Sequence, residues 1–216
     1  MLKALLFDLD ETLYHPDTGM LDAGDRAITQ YVCDQLGMTW AAANQLRVVF
    51  TKKYGTTAMG LAAEFGIPQA ELYARSVERV DPCQYISSDA ELDAMLAAIA
   101  ADLHVFTNAT RLYAEGVLNA LGVEGRFCNV FDIGFFGWRP KPAREPYEAV
   151  ITFLGLPAGR IGLIEDNPAN IVPARELGMT TFLLRQSHEA ADYSLEDILD
   201  LRELLCREGL CAPADE

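Results

Sequence analysis

The feature that most constrains the fold of this sequence is a series of short, mainly apolar runs that alternate with segments of helical periodicity. Such runs are typical of strands that are buried on both faces of a parallel sheet. The predicted strands are residues 2–7, 103–107, 130–133, 161–164 and 180–184. The first of them stops abruptly at charged residues, as a buried strand does at the edge of a sheet.

Helical patterns fill the intervals between the predicted strands. They cover residues 89–101, 109–121, 142–154, 168–177 and, after the last strand, 194–205. Ser87-Ser88 is the expected N-cap of the first, and Gly122, Gly155 and Gly178 follow the next three as C-caps. Strand alternating with helix predicts a Rossmann-like α/β core with a parallel sheet, helices on both faces and right-handed crossovers. The tail, residues 211–216, is expected to be frayed.

One long segment breaks this alternation. Residues 17–83 show helical periodicity at 21–36, 40–54, 57–65 and 68–80, and they contain no run that resembles a buried strand. We therefore predict two domains. Residues 1–16 and 84–216 form the α/β core, and residues 17–83 form an all-helical domain inserted after the first strand.

Charge and composition exclude several classes of protein. The 216 residues include 17 Lys and Arg against 32 Asp and Glu, and the formal net charge is −15. Half of the residues are hydrophobic, which is ordinary for a globular protein. So acidic a chain lacks the clustered cations that hold a nucleic-acid backbone or an anionic membrane surface. A small anionic substrate remains possible if a cation lies in the site.

The cysteines and apolar runs indicate the compartment. Five cysteines, an odd number, occur without a C-x-x-C motif, which disfavours a disulfide framework or a zinc site. Acidic residues interrupt the N-terminal apolar run too early for a signal peptide. The longest apolar run, residues 94–101, is too short to cross a membrane. We expect a cytoplasmic protein without membrane or nucleic-acid partners, and we leave open whether it is a monomer or a homodimer.

Polar side chains follow the predicted strands at the end where ligands bind in open parallel sheets. They are Asp8, Asp10, Thr107, Asn108, Glu165 and Asp166, with Lys141 just before a predicted helix. Carboxylates gathered at one edge repel each other and have raised pKa values unless a cation neutralises them. Mg²⁺ prefers such oxygen ligands and leaves positions for phosphate oxygens. The pattern therefore predicts a Mg²⁺ site that holds a phosphoryl group.

Four motifs in order resemble those of the haloacid dehalogenase-like (HAD) phosphohydrolase superfamily. They are Asp8-Leu9-Asp10-Glu11-Thr12, Phe106-Thr107-Asn108, Lys141-Pro142 and Glu165-Asp166-Asn167. The resemblance covers essentially the whole chain, including the helical insertion. Further residues are similar to the pyrimidine 5′-nucleotidase-like branch: Leu13-Tyr14, Tyr54-Gly55-Thr56-Thr57, Ala109, Arg139-Pro140 and Pro168-Ala169-Asn170.

The resemblance implies a role for each matching residue. Asp8 is the nucleophile that forms an aspartyl-phosphate. Asp10 is the acid that protonates the leaving alkoxide and then the base that activates water, and its backbone carbonyl is a metal ligand. The dehalogenases lack an acid at this position, so Asp10 favours phosphate esters. Asp166 is the direct ligand of Mg²⁺, and Glu165 binds the ion directly or through water. At the position of Asn170, some members of the superfamily carry an acidic residue.

The remaining implied contacts are to substrate. The phosphoryl group is expected to contact four residues: Leu9, Thr107, Asn108 through its backbone N–H, and Lys141. The inserted domain acts as a lid. Tyr54, Thr56 and Thr57 are expected to read the leaving group, although the same residues also fit a simple helix-breaking turn.

The residues and the resemblance lead to three candidate functions. The first is a Mg²⁺-dependent phosphatase for a small phosphate monoester, such as a pyrimidine nucleoside 5′-monophosphate. The second is a related phosphatase or phosphomutase acting on phosphoglycolate or a sugar phosphate. The third is a receiver-like signalling domain, which also forms an aspartyl-phosphate. Receivers need no lid and are about half this length, so the third is disfavoured.

Overall fold

A computed structural model describes residues 1–210 of the chain. The chain divides into two compact units, one formed by residues 1–15 with the chain from Ser87 onward and the other by residues 16–86. The first unit is the α/β core and the second is helical. The predicted frayed tail, residues 211–216, lies outside the described residues.

The core is built on one six-stranded, fully parallel sheet with the strand order β3-β2-β1-β4-β5-β6. Its strands are β1 (Ala4–Phe7), β2 (Asp102–Phe106), β3 (Asn129–Phe131), β4 (Ile161–Glu165), β5 (Thr180–Leu184) and β6 (Tyr193–Leu195). The five predicted strands are confirmed within two residues at each end. β6 was not predicted.

The register of the central strand brings distant segments to one edge. Phe7, the last residue of β1, pairs with Val105 of β2 and with Ile164 of β4. The backbone N–H of Asp8 continues the ladder and donates to the carbonyl of Ile164 at 2.9 Å. The residues that follow β1, β2 and β4 therefore lie side by side at the carboxyl end of the sheet.

Five helices connect or follow the strands of the core. They are α5 (Ala90–Ala97), α6 (Arg111–Leu121), α7 (Arg144–Leu154), α8 (Pro168–Glu176) and α9 (Leu201–Arg207). Phe106, Tyr147 and Ile171 are among the residues that form a buried core between the sheet and these helices. The result is the predicted Rossmann-like α/β fold. In the middle of β4, a Cβ added to Gly162 would lie 2.7 Å from a methyl group of Leu5, so only glycine fits without displacement.

The core differs from the sequence-based expectations in three places. The helix expected at residues 89–101 already ends at Ala97. Residues 194–205 were predicted as one helix, but the chain forms β6 first, and the helical conformation begins after Asp197, whose side chain accepts a hydrogen bond from the Leu199 N–H. β6 is a three-residue edge strand, too short for a clear apolar run. The N-cap of α5 is Asp89, which accepts from Glu91 and Leu92, instead of Ser87-Ser88.

The second unit contains helices and, within residues 16–86, no strand. They are α1 (Met20–Leu36), α2 (Trp40–Tyr54), α3 (Thr57–Phe65) and α4 (Gln69–Arg75). The predicted helix at residues 68–80 is too long, because α4 ends at Ser76, whose side chain turns back to the carbonyl of Leu72 at 2.6 Å. α2 and α3 pack closely where Gly60 meets the ring of Phe50.

Within residues 1–210, none of the helices is long and apolar enough to span a bilayer. The cysteines of the same part of the chain, Cys33, Cys83, Cys128 and Cys206, are unpaired.

Candidate active site

A buried lysine links two carboxylates at the carboxyl end of the sheet. The Nζ atom of Lys141 lies 2.8 Å from Oδ1 of Asp8 and 2.9 Å from Oε2 of Glu165. It also donates to the carbonyl of Phe106 at 2.7 Å. The Lys141 side chain is 1% exposed. These three contacts use all three N–H donors of its ammonium group inside the protein. Three of the predicted site residues are therefore brought together.

The loop that carries Lys141 is held by Asn108. The Asn108 side-chain amide donates to the Lys141 carbonyl at 3.0 Å and accepts from the Lys141 N–H at 2.7 Å. This pair of hydrogen bonds joins the segment after β2 to the segment before α7. The Asn108 side chain thus has a positioning role, and the predicted contact to phosphate falls to its backbone N–H.

Glu165 has hydrogen-bond donors on both oxygens. Oε2 accepts from Lys141 and, at 3.0 Å, from the Asn170 amide. Oε1 accepts from the backbone N–H of Asn167 at 3.1 Å. Asn170 replaces the acid of some relatives with a donor to Glu165. These contacts leave Glu165 less capacity for a metal ion than Asp8 or Asp166 has.

Asp166 lies beside this pair. Its Oδ1 accepts a long hydrogen bond from the Thr12 hydroxyl at 3.4 Å. One carboxylate oxygen from each of Asp8, Glu165 and Asp166 lies within 4.8 Å of the others. When all three are ionised, they and the single ammonium of Lys141 carry a net charge of −2 (−3 + 1). A divalent cation with oxygen ligands, such as Mg²⁺, fits both the charge and the donor atoms.

Burial perturbs the acids of this cluster. Desolvation, together with repulsion from Glu165, raises the pKa of Asp8 to about 7 although Lys141 opposes the shift. Desolvation and repulsion from Asp8 raise the pKa of Asp166 to about 6. Burial by itself would lower the pKa of Lys141, but Asp8 and Glu165 outweigh burial and raise it. The ammonium therefore stays charged, while the acids are in need of a further cation.

Asp10 lies in the turn that follows β1 and is held by two tyrosines. Its Oδ1 accepts from the hydroxyls of Tyr14 at 2.5 Å and Tyr113 at 2.8 Å. Burial raises the pKa of Asp10, while the two hydroxyls oppose that shift. Burial likewise raises the pKa of both phenols, which remain protonated donors. Sequence patterns did not single out Tyr113, which comes from α6.

Thr107 and Leu9 occupy backbone turns at the same edge. The Thr107 side chain is buried, and its oxygen accepts from the Ala109 N–H at 3.0 Å. A hydroxyl that accepts through a lone pair keeps its hydrogen available for an oxygen of a ligand. The Leu9 side chain is fully buried and its carbonyl accepts from Leu13 at 3.0 Å. Only its backbone N–H is thus left for the predicted contact to phosphate.

The three predicted residues of the helical unit have structural partners within that unit. The Tyr54 hydroxyl donates to Glu64, Thr56 caps α3 by accepting from Met59 at 3.0 Å, and the Thr57 hydroxyl lies 3.2 Å from that of Thr51. These contacts agree with a helix-breaking turn. Reading of a leaving group by Tyr54, Thr56 and Thr57 remains a prediction.

Two residues after β5 also lie at this edge of the sheet, and none of the sequence motifs includes them. The Arg185 guanidinium donates to the carbonyl of Glu11, and the Gln186 amide donates to the carbonyl of Asp166. Arg185 itself has a positive φ of 57°. The rule that functional residues follow parallel strands would have found both, because β5 was predicted to end at residue 184.

The parallel sheet carries an aspartate after β1, a hydroxyl after β2, a lysine before α7 and paired acids at the end of β4. This arrangement defines a class of hydrolase. A family model described as haloacid dehalogenase-like hydrolase matches residues 2–178. The chain belongs to this family.

Similar proteins narrow the class to phosphatases. Phosphoglycolate phosphatase of Rhodospirillum rubrum is 26% identical over 225 residues, which cover 100% of this chain and 90% of the relative. Validoxylamine A 7′-phosphate phosphatase of Streptomyces hygroscopicus is 26% identical over 222 residues, covering 94% and 97%. A HAD phosphatase from Thermococcus onnurineus shares the fold, with a TM-score of 0.68 and 18% identity over 94% of this chain and 98% of that one. The protein is a HAD-like phosphatase, a phosphoric monoester hydrolase.

Proposed function

We propose that the protein is a Mg²⁺-dependent phosphatase that hydrolyses a small phosphate monoester through an aspartyl-phosphate on Asp8. The observation that carries the proposal is the pairing of Asp8 with Lys141 at 2.8 Å, beside Asp166 and two residues from Asp10. A nucleophile, a fixed cation, a metal-ligand pair and a proton donor then share one edge of the sheet. These are the parts that phosphoryl transfer through an enzyme carboxylate needs.

In the first half-reaction, a carboxylate oxygen of Asp8 attacks phosphorus. The bond between phosphorus and the ester oxygen breaks in line, and the proton of the Asp10 carboxyl group passes to the departing oxygen. The products are an alcohol, an acyl phosphate on Asp8 and the Asp10 carboxylate. Lys141, which already contacts Asp8, lies where it offsets the charge of the phosphoryl oxygens.

In the second half-reaction, Asp10 acts as a base. Its carboxylate takes a proton from water as the water oxygen attacks phosphorus, and the bond between phosphorus and the Asp8 oxygen breaks. Inorganic phosphate leaves, and both aspartates return to their starting states. The Thr107 hydroxyl and the Asn108 N–H bind the phosphoryl oxygens in both halves.

Asp8 and Asp166 would hold the Mg²⁺ ion with the backbone carbonyl of Asp10. The bound ion supplies positive charge next to the phosphoryl oxygens. Glu165, whose oxygens already accept from Lys141, Asn170 and Asn167, would support the site from behind or through water. The helical unit, residues 16–86, would act as the lid that excludes water and selects the leaving group.

Two substrate classes have separate support. The motifs around Tyr14, Tyr54 and Asn170 are similar to those of pyrimidine 5′-nucleotidases and favour a nucleoside monophosphate. The relative from Rhodospirillum rubrum, alike over the whole chain, is a phosphoglycolate phosphatase and favours a small phosphorylated acid. The internal partners of Tyr54 and Thr57 weaken the first class, because the Tyr54 hydroxyl donates to Glu64 and the Thr57 hydroxyl pairs with that of Thr51. Thr56 only accepts, from Met59, and keeps its hydrogen for a ligand.

A phosphate-release screen tests the proposal. Purified enzyme is assayed with UMP, CMP, dUMP, AMP, phosphoglycolate and several sugar phosphates, in Mg²⁺ and in EDTA, with Asp8→Asn as the blank. Metal-dependent release of inorganic phosphate from one class supports the proposal and selects the substrate. Metal-independent turnover, or a phosphorylated product without free phosphate, would contradict it, and the latter would indicate a mutase.

A further inference from the structure

Two phenol hydroxyls converge on a single oxygen of the proposed acid–base residue. Tyr14 and Tyr113 both donate to Oδ1 of Asp10, at 2.5 and 2.8 Å. Tyr14 lies four residues further along the same loop, whereas Tyr113 lies 103 residues away, in α6. Both tyrosine side chains are buried, with 6% and 4% of their surface exposed. The contact therefore joins two separate parts of the core at one carboxylate oxygen.

This arrangement restrains a torsion that is otherwise soft. The terminal torsion of an aspartate has a broad, roughly two-fold distribution, so a carboxyl group turns readily unless partners hold it. Two donors from separate segments of the chain meet at Oδ1 and hold the plane of the Asp10 carboxyl group. They also make the two oxygens different, because a carboxyl oxygen that accepts from two hydroxyls is a poor place for a proton.

We propose that Tyr14 and Tyr113 are positioning residues that make Oδ2 of Asp10 the atom that gives and takes the proton in catalysis. The inference rests on the proposed function, since it assigns the acid–base step of that reaction to one oxygen. The tyrosines touch neither the substrate nor the metal in this scheme. They act through Asp10 alone, so their loss changes the proton-transfer step and leaves binding of the ester intact.

The consequence depends on the leaving group. An alkoxide of high basicity needs a proton as it departs, whereas a nitrophenolate leaves without one. Removal of the two hydroxyls should therefore lower kcat/KM for alkyl phosphates much more than for p-nitrophenyl phosphate, because kcat/KM reports the steps up to departure of the leaving group and excludes the later activation of water. A structural role alone would slow both substrates by the same factor, because loss of folded enzyme affects every substrate equally.

The experiment compares Tyr14→Phe, Tyr113→Phe and the double variant with the wild type on p-nitrophenyl phosphate and glycerol 2-phosphate. We expect kcat/KM on the alkyl ester to fall about 10- to 100-fold in the double variant, with less than about threefold loss of kcat/KM on the aryl ester. Tyr31→Phe is the matched control. It removes a tyrosine hydroxyl that donates to Glu71 at 3.2 Å in the helical unit, and both rates should stay at the wild-type level.

Asp10→Asn separates failure of the inference from failure of the proposed function. If Asp10→Asn shows strong selectivity for the aryl ester and the tyrosine variants show none, the positioning role is wrong and the acid–base role of Asp10 stands. If Asp10→Asn lowers kcat/KM equally for both substrates, Asp10 is not the acid that protonates the leaving group, and the inference falls with that role. A second readout is a crystal structure of the double variant, in which an unchanged Asp10 carboxyl orientation would also overturn the inference.

Discussion

Lys141 and Asp8 are 133 residues apart in the sequence, yet Nζ of the lysine lies 2.8 Å from Oδ1 of the aspartate in a buried ion pair. The same ammonium group reaches Glu165 at 2.9 Å. Its position depends on the backbone of the loop, which Asn108 holds by two hydrogen bonds. One lysine thus couples the nucleophile candidate to Glu165 at the end of β4, and the predictions below depend on that coupling.

Asp8→Asn should abolish turnover and leave the fold intact. An amide at this position cannot form the acyl phosphate, so kcat should fall by at least about 10³-fold. Asparagine has nearly the same shape, and Lys141 keeps Glu165 as its partner, so the circular dichroism spectrum should not change.

The matched control for this variant is Asp102→Asn, which changes an exposed acid at the opposite end of β2. Its rate of phosphate release should equal that of the wild type. Turnover by Asp8→Asn at a similar rate would remove Asp8 from the role of nucleophile.

Lys141→Met should destabilise the metal-free protein by about 3–5 kcal/mol at pH 8, because it leaves two buried carboxylates without their cation. Asp8 and Glu165 can take up protons at lower pH, so part of the loss should be recovered at pH 5. Urea unfolding at the two pH values measures both effects.

Lys53→Met is the comparison for this variant, since Lys53 pairs with Glu64 at 3.0 Å but its side chain is 59% exposed to water. Its effect on unfolding should be much smaller and should not share the pH dependence. Equal effects of the two substitutions would contradict the buried pairing.

The metal-free wild type should become less stable as the pH rises. The pKa of Asp8 is about 7 in the folded protein, and that of Asp166 is about 6, against an ordinary value of 3.8 for each. The folded state therefore binds more protons than the unfolded state between these limits. The stabilisation is complete below about pH 4 and is lost as the pH rises through 6 and 7.

Thermal unfolding in EDTA at pH 5, 6, 7 and 8 measures this dependence, and Asp8→Asn should flatten it. Mg²⁺ affinity should rise over the same interval, because the ion competes with protons for the same carboxylates. A midpoint that is constant from pH 5 to 8 would show that the two pKa values are not raised.

Gly162→Ala should destabilise the core by about 1–3 kcal/mol, the usual range for overpacking. Its new Cβ would lie 2.7 Å from Leu5, 3.1 Å from Leu2 and 3.2 Å from Phe182, all within the packed interior. Gly125→Ala is the control, because no atom lies within 4 Å of the position that its Cβ would take. Chemical unfolding compares the two variants, and an equal effect would mean that β4 adjusts at no cost.

Much of the fold follows from local patterns in the sequence. Five of the six strands lie in short, mainly apolar runs, and glycines at 122 and 155 end helices where the pattern predicts. The strand at residues 193–195 could not be predicted in this way, because three residues are too few to show a hydrophobic pattern. It forms because it pairs with β5, for example through Leu184 and Leu195. A short edge strand therefore depends on hydrogen bonds to the neighbouring strand more than on its own sequence.

The residues of the candidate site also fall into two groups, those that the sequence indicates and those that only the structure shows. Asp8, Asp10, Thr107, Lys141, Glu165 and Asp166 were found from the sequence because each follows a strand or precedes a helix in a recognisable motif. Arg185 and Gln186 carry no motif, although their place after β5 indicates this edge of the sheet. Tyr113 has neither signal, because it comes from α6 and only the structure shows its contact to Asp10.

The sequence alone determined the class of fold and the types of residue at the catalytic edge, because apolar periodicity and the ends of strands are local properties. Only the tertiary structure decided which oxygen of Asp10 receives two hydroxyls, that Asn170 and Lys141 share one oxygen of Glu165, and that Tyr54, Thr56 and Thr57 already have partners. Those facts depend on distances of about 3 Å between residues far apart in the chain. Packing of the whole core sets such distances, and no short stretch of sequence contains them.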